Sequence, residues 1–254
     1  MTEEFKLPHP PIVEAVLDID CELPQTKKLL ALEEPAKAFF GDKYPKFEAR
    51  LIQQHNIESK PDGPPAISVH QGLRAYRFFH EDGKQLIQVR IDGFSFNRLV
   101  PYTSLDDYLP EIERTWHLYL RLAAPIQIRI IRLRYINRIL LPLKRDKVDL
   151  DEYFQVGPRL PDEKRLTFLR FLNQHDAVDV ETGHLVTTVL TSEIASEYGP
   201  ADSLPVIFDN CVASAESHGP DDWPWIENKI LSLRALKNHV FKNSVTEKCL
   251  TLFR

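Results

Sequence analysis

The residues in this chain best suited to chemistry form two groups, one of carboxylates and imidazoles and one of guanidinium groups. His175, Asp176, Asp179, Glu181 and His184 are close neighbours in the chain. Carboxylate and imidazole ligands hold zinc or manganese when they converge on one point. Alternation along an extended chain argues against convergence here. Asp179 and Glu181 share parity with His175, whereas Asp176 points the other way and His184 lies across a turn. The expectation is a polar hairpin tip with no bound metal. The second group is Arg132, Arg134 and Arg138, which alternate along another extended stretch and, with Arg90, could present guanidinium forks to phosphate or another anion. The same arginines would serve equally in a salt-bridge network, within the chain or between subunits, or as a solvated face. The network is the preferred reading.

Asn97, Tyr135 and Asn137 lie near these arginines in the pattern and would line a polar pocket if their strands were neighbours. Structural hydrogen bonding explains them without invoking a reaction. No activated nucleophile accompanies them, and HExxH, GxSxG and GxxxxGK are all missing. Near the C-terminus, Ser244 is placed to cap a short last helix, with Glu247 reciprocating three residues on. His239 reads as a surface residue rather than a general base. Cys21, Cys211 and Cys249 are odd in number and far apart, which argues against a disulfide framework and for inert, buried thiols. No catalytic residue, metal ligand or cofactor is assigned on these grounds.

Charge is segregated along the chain. Between Phe171 and Asn228 there are eleven Asp or Glu residues and no Lys or Arg, while Ile126 to Lys147 carries seven basic residues against Asp146 alone. Such asymmetry suggests either opposite-sign surfaces facing each other in an assembly or a basic face open to an anionic partner. The net charge of −5 weighs against a general nucleic-acid coat protein, so nucleic acid is the lesser alternative as partner. No apolar run reaches the roughly 20 residues needed to cross a bilayer, and Met1 to Lys6 contains no apolar signal segment. These features read as a soluble cytoplasmic protein without a membrane partner.

With 254 residues, 43% of them hydrophobic, the chain can fill one large core or two smaller ones. Alternation predicts strands over Ile12 to Glu22, Phe47 to Ile57, Ile126 to Leu140 and Ser203 to Ser214. Ser68 to His80 and Gln85 to Arg98 flank Asp82-Gly83 as a hairpin, with a bulge at Gly93 to return Phe94 and Phe96 to the core. Arg165 to Val180 and His184 to Glu193 form another hairpin through Glu181-Thr182-Gly183. Helices are predicted over Thr26 to Phe40, from a Ser104 to Asp107 capping box through Leu120, and over Trp225 to Phe241, while Ser59 to Pro65 reads as an exposed loop. The class is α+β, with antiparallel sheets and long packed helices. Each half carries a hairpin and a long helix, so two topologically related modules are expected, residues 1–143 and an acidic 144–254, packed as one unit.

Pro11-Ile12-Val13-Glu14-Ala15-Val16, Phe94-Ser95-Phe96-Asn97-Arg98-Leu99 with Pro101-Tyr102, Arg134-Tyr135-Ile136-Asn137-Arg138-Ile139, and Asn238-His239-Val240-Phe241 with Val245-Thr246-Glu247 together span nearly the whole chain. In this combination the chain resembles a sporadically distributed family of uncharacterised prokaryotic proteins of similar length. The resemblance implies a full-length α+β unit and carries no reaction, cofactor or catalytic residue. Leu105 departs from it, standing where an aromatic residue is more usual. The sequence therefore points to a non-enzymatic binding or assembly protein, with a homodimer or a partner protein as the expected association. The alternative is a metal-dependent phosphoester hydrolase or nuclease, in which Arg132, Arg134 and Arg138 position a phosphate and carboxylates of the acidic half hold a metal.

Overall fold

Alternating side chains decide which face of each strand is buried, and in the central strand Ala15, Leu17, Ile19 and Cys21 face inward while Glu14, Asp18, Asp20 and Glu22 face out. The computed structural model describes residues 5, 7–58, 66–144, 147–162, 165–166, 168–193 and 202–254, at 54–58 and 66–70 for the backbone alone. The expected loop Ser59 to Pro65 lies outside the described residues. The strands are β1 (Ile12–Glu22), β2 (Lys46–Glu58), β3 (Ala66–Phe79), β4 (Gln85–Arg90), β5 (Gly93–Leu99), β6 (Gln127–Pro142), β7 (Leu172–Val178), β8 (Leu185–Ser192) and β9 (Ser203–Ser214). The helices are α1 (Glu33–Phe40), α2 (Leu105–Ala123), α3 (Trp223–Ser244) and α4 (Glu247–Leu250).

All nine strands join one antiparallel sheet in the order β2-β3-β4-β5-β1-β6-β9-β8-β7. The two sides repeat a plan. β5 returns to lie beside β1 before α2 follows, and β9 returns to lie beside β6 before α3 follows. The first strands of the two plans, β1 and β6, pair with each other at the centre of the sheet. Helices α2 and α3 pack on one face. On α2, Leu105, Ile112, Trp116, Tyr119 and Ala123 recur at helical spacing and bury themselves. Trp116 is fully buried against Phe94 and Tyr119, and its indole N–H donates to Pro220 O at 3.1 Å. A second cluster under α3 and α4 gathers Ile139, Val206, Phe208, Phe241 and Cys249.

The structure corrects several expectations. The second hairpin arm is two strands, because the chain reverses at Ile91-Asp92, pairing Val89 with Phe94 and Ile87 with Phe96. Reversal, not a bulge, restores the aromatic rings to the core face. Gly93 has φ 147, and a Cβ there would sit 2.1 Å from Ile19 O. The first helix is shorter than expected, a 3-10 turn over Leu29–Leu32 followed by α1. Pro35 has no N–H and falls in the first turn of α1, where none is needed; a helix running from Thr26 would place it in the interior at the cost of a hydrogen bond. The strand expected from Arg165 starts only at Leu172, where pairing with Thr191 of β8 begins.

Caps shift as well. Ser104 Oγ accepts from Asp106 N at 3.3 Å, but the shorter Asp107 carboxylate takes the Thr103 hydroxyl at 2.6 Å instead of closing the box. Helix α3 starts two residues earlier than expected because Asp222 caps it, accepting from Trp225 N at 3.1 Å. Ser244 belongs to the end of α3 and returns its hydroxyl to Val240 O at 2.8 Å, leaving Thr246 to cap α4 through Cys249 N at 3.2 Å. Glu247 pairs with Arg254 at 2.9 Å rather than reciprocating a cap.

Candidate functional site

The alternation of β6 sends Arg132, Arg134 and Arg138 to the open face of the sheet, opposite the helices. Each meets a carboxylate of the same chain. Arg132 pairs with Asp20 at 2.6 Å, Arg138 with Glu193 at 2.8 Å, and Arg134 reaches Asp209 through Nε at 2.9 Å and more closely through its terminal nitrogen. The Asp209 hydrogen bonds hold the Arg134 guanidinium above its usual range, against the effect of burial. Arg90 on β4 lies among Asp20 at 2.7 Å, Asp92 at 3.3 Å and Asp18 at 3.7 Å. Burial works against its charge, but these three carboxylates outweigh burial and raise its pKa. Pairs Arg134–Asp209 and Arg138–Glu193 join the basic stretch to the acidic half, so the charge segregation is largely answered inside one chain.

His175, Asp176, Asp179, Glu181 and His184 are not brought to one point. Asp176 accepts from Thr187 at 2.7 Å and Gln174 at 3.1 Å on the open face. Asp179 accepts from the Thr182 amide at 3.1 Å in the β7–β8 turn, while buried His184 lies 3.4 Å from the Ser232 hydroxyl under α3. Burial first, and Lys229 second, lower the His184 pKa. No group of three or more potential metal ligands is clustered among the described residues. Asp176 is also three strands from Arg134, through Thr187 and Cys211, or roughly 14 Å at ordinary strand spacing. The arrangement required by the phosphoesterase alternative is therefore not assembled by these residues. Cys21 and Cys249 are pushed up to about 12 and Cys211 to about 11, each chiefly by burial, which keeps the thiols protonated.

Asn97, Tyr135 and Asn137 separate onto two faces. Asn97 is buried on the open side, accepting from Gln88 at 3.0 Å and donating to Glu14 at 2.7 Å. Tyr135 and Asn137 face the helices, where they border a cavity of about 350 Å³ between α2, α3, β6 and the segment before β1. Phe5, Leu7, Pro11, Ile12, Leu105 and Phe241 supply much of its apolar wall. Tyr102 and Tyr135 hydroxyls meet at 2.8 Å, and burial raises both phenols, that of Tyr135 to about 12.

Two cations one turn apart on α3 enter this pocket, and they are not equivalent. Arg234 crosses to α2 and pairs with Asp106 at 2.7 Å. The Lys237 ammonium, among the described residues, makes no hydrogen bond and no ion pair; it rests 3.8 Å from the centre of the Tyr135 ring. Burial, reinforced by the neighbouring Arg234 charge, lowers Lys237 to about 7. Asn210 fixes the base of the side chain by donating to Lys237 O at 3.0 Å. The first turn of α2, at Ser104 and Leu105, adds the positive end of a long helix to the same wall. An organic anion would meet here a cation that makes no ion pair among the described residues, a phenol pair and an apolar surface, with the Asp107 carboxylate on the α2 side of the same wall. His239, by contrast, is exposed.

Reading along the chain singled out the paired arginines and missed Lys237. A signal was present: Ile226, Ile230, Leu233, Lys237 and Phe241 continue one helical stripe, so a lysine occupies an inward position. No family model matches the chain, and no curated protein matches it.

Proposed function

We propose that this is a non-enzymatic binding protein whose helix-side pocket takes a small organic anion with an apolar body. The observation that carries this reading is Lys237, a half-buried ammonium group lining a cavity of ligand size and making no ion pair among the described residues. Folding ordinarily leaves such a group paired or removes it, because an uncompensated buried charge is destabilising. An anion would supply the missing counter-charge, the Tyr102–Tyr135 pair a hydroxyl contact, and the Phe5, Ile12 and Phe241 side chains a surface for its apolar part. The arginines of β6 support the reading indirectly, since their carboxylate partners leave little for a ligand to gain by displacing them.

Isothermal titration with 3-phenylpropionate and its uncharged amide tests the proposal. The carboxylate is expected to bind at least about tenfold more tightly than the amide, and Lys237→Met to abolish that preference. Equal binding of acid and amide, or an unchanged preference in the variant, refutes it.

A further inference from the structure

The open face of the sheet has a second cavity, of about 560 Å³, on the side opposite Lys237. Five arginines border it: Arg50, Arg74, Arg77, Arg90 and Arg134. Three are committed, Arg74 to Asp92 at 2.7 Å, Arg90 to Asp20 and Asp92, and Arg134 to Asp209. Arg50 and Arg77 make no ion pair among the described residues. Glu48, the cross-strand partner of Arg77, pairs with Lys46 at 3.1 Å instead, and Arg77 Nε is buried without an acceptor.

Gln88, opposite Arg77 across β3 and β4, adds a directional requirement. The Glu14 carboxylate can only accept, so Asn97 must donate to it through Nδ2 and turn Oδ1 toward Gln88. Gln88 must then donate through Nε2, which leaves its Oε1 as an acceptor. That oxygen is buried and unpartnered on a residue only 8% exposed. The cavity thus offers guanidinium donors for an oxyanion, and just beneath its surface lies one acceptor that needs an O–H or N–H. Glu14 and Asp18 on the same wall disfavour a polyanion and leave room for a single anionic group.

We propose that Arg77, Arg50 and Gln88 form a binding site for a small hydroxylated phosphate monoester, the guanidinium groups holding the phosphate and Gln88 Oε1 accepting from a ligand hydroxyl. The site is separate from the helix-side pocket and does not depend on its function.

Titration of the full chain with ribose 5-phosphate, inorganic phosphate and ribose tests this. Ribose 5-phosphate is expected to bind at least about tenfold more tightly than either fragment. Arg77→Met should weaken it by about tenfold or more, and Arg77→Lys, which keeps the charge but loses the fork, should weaken it by a smaller factor. Gln88→Leu should remove the advantage of ribose 5-phosphate over inorganic phosphate. Should Arg77→Met fail to fold, Arg50→Met and Arg77→Lys carry the test. Absence of saturable ribose 5-phosphate binding overturns the proposal, as does binding lost in Lys237→Met but retained in the Arg77 and Arg50 variants.

Discussion

Replacing Lys237 by methionine should make the protein more stable while removing its ligand preference. Unfolded lysine titrates near 10.4, and in the folded chain Lys237 titrates at about 7. Between these values the unfolded state holds a proton that the folded state lacks, so wild-type stability rises with pH across the window by up to about 1.4 kcal/mol per unit. Below about pH 7 both states are protonated and the contribution is flat. At pH 7.5 the methionine variant therefore gains up to about 4 kcal/mol, falling to about 1 kcal/mol at pH 9.5. The first figure is a ceiling, because Lys237 keeps partial exposure and the Tyr135 face 3.8 Å away favours the charged amine. Among the described residues, the other titratable or charged groups around this cavity are Tyr135 from β6, Tyr102 from the segment after β5, Asp107 from α2, and Arg234 with its partner Asp106. All but Lys237 are common to both proteins, so the difference between their urea unfolding free energies isolates it. A stability difference that does not narrow between pH 7.5 and 9.5, or a variant less stable at pH 7.5, would show that Lys237 has a counter-charge after all.

Three further outcomes test the frame that holds both cavities. Gly93→Ala must push a Cβ into Ile19 O and the Asp20 Cα on β1, at 2.1 Å and 2.9 Å, so a loss of about 3 kcal/mol or more is expected in urea unfolding. A change within about 0.5 kcal/mol would contradict the close approach of β5 to β1. Trp116→Phe removes the donor to Pro220 O and opens space in the core, for an expected loss of about 1–3 kcal/mol, read as a lower midpoint with an unchanged slope. Asp209→Asn should lower stability by about 1 kcal/mol, because Arg134 is 46% exposed, and the loss should shrink in high salt. Salt independence would argue against an ion pair there.

The elements with an unbroken local pattern are legible from the residues themselves. β1 and β9 begin and end where alternation and flanking residues place them, and α2 follows its stripe of Leu105, Ile112 and Trp116. Local sequence also separates the arginines of β6 from Tyr135 and Asn137, since a strand permits only two faces. Reversal at Ile91-Asp92 was less legible because a bulge and a tight turn produce the same change of parity in a linear pattern.

Which side chains meet is a tertiary matter. Asp20 reaches both Arg90 and Arg132 only because β1 lies between β5 and β6, and Asp209 reaches Arg134 only because β9 pairs with β6. The lysine at an inward position of α3 is written in the sequence, but its lack of a carboxylate partner emerges only when Tyr102, Tyr135 and Lys237, from three separated segments, enclose one space. Helical periodicity specifies a direction for one side chain. Burial, charge compensation and the shape of a pocket depend on every chain segment that arrives around it.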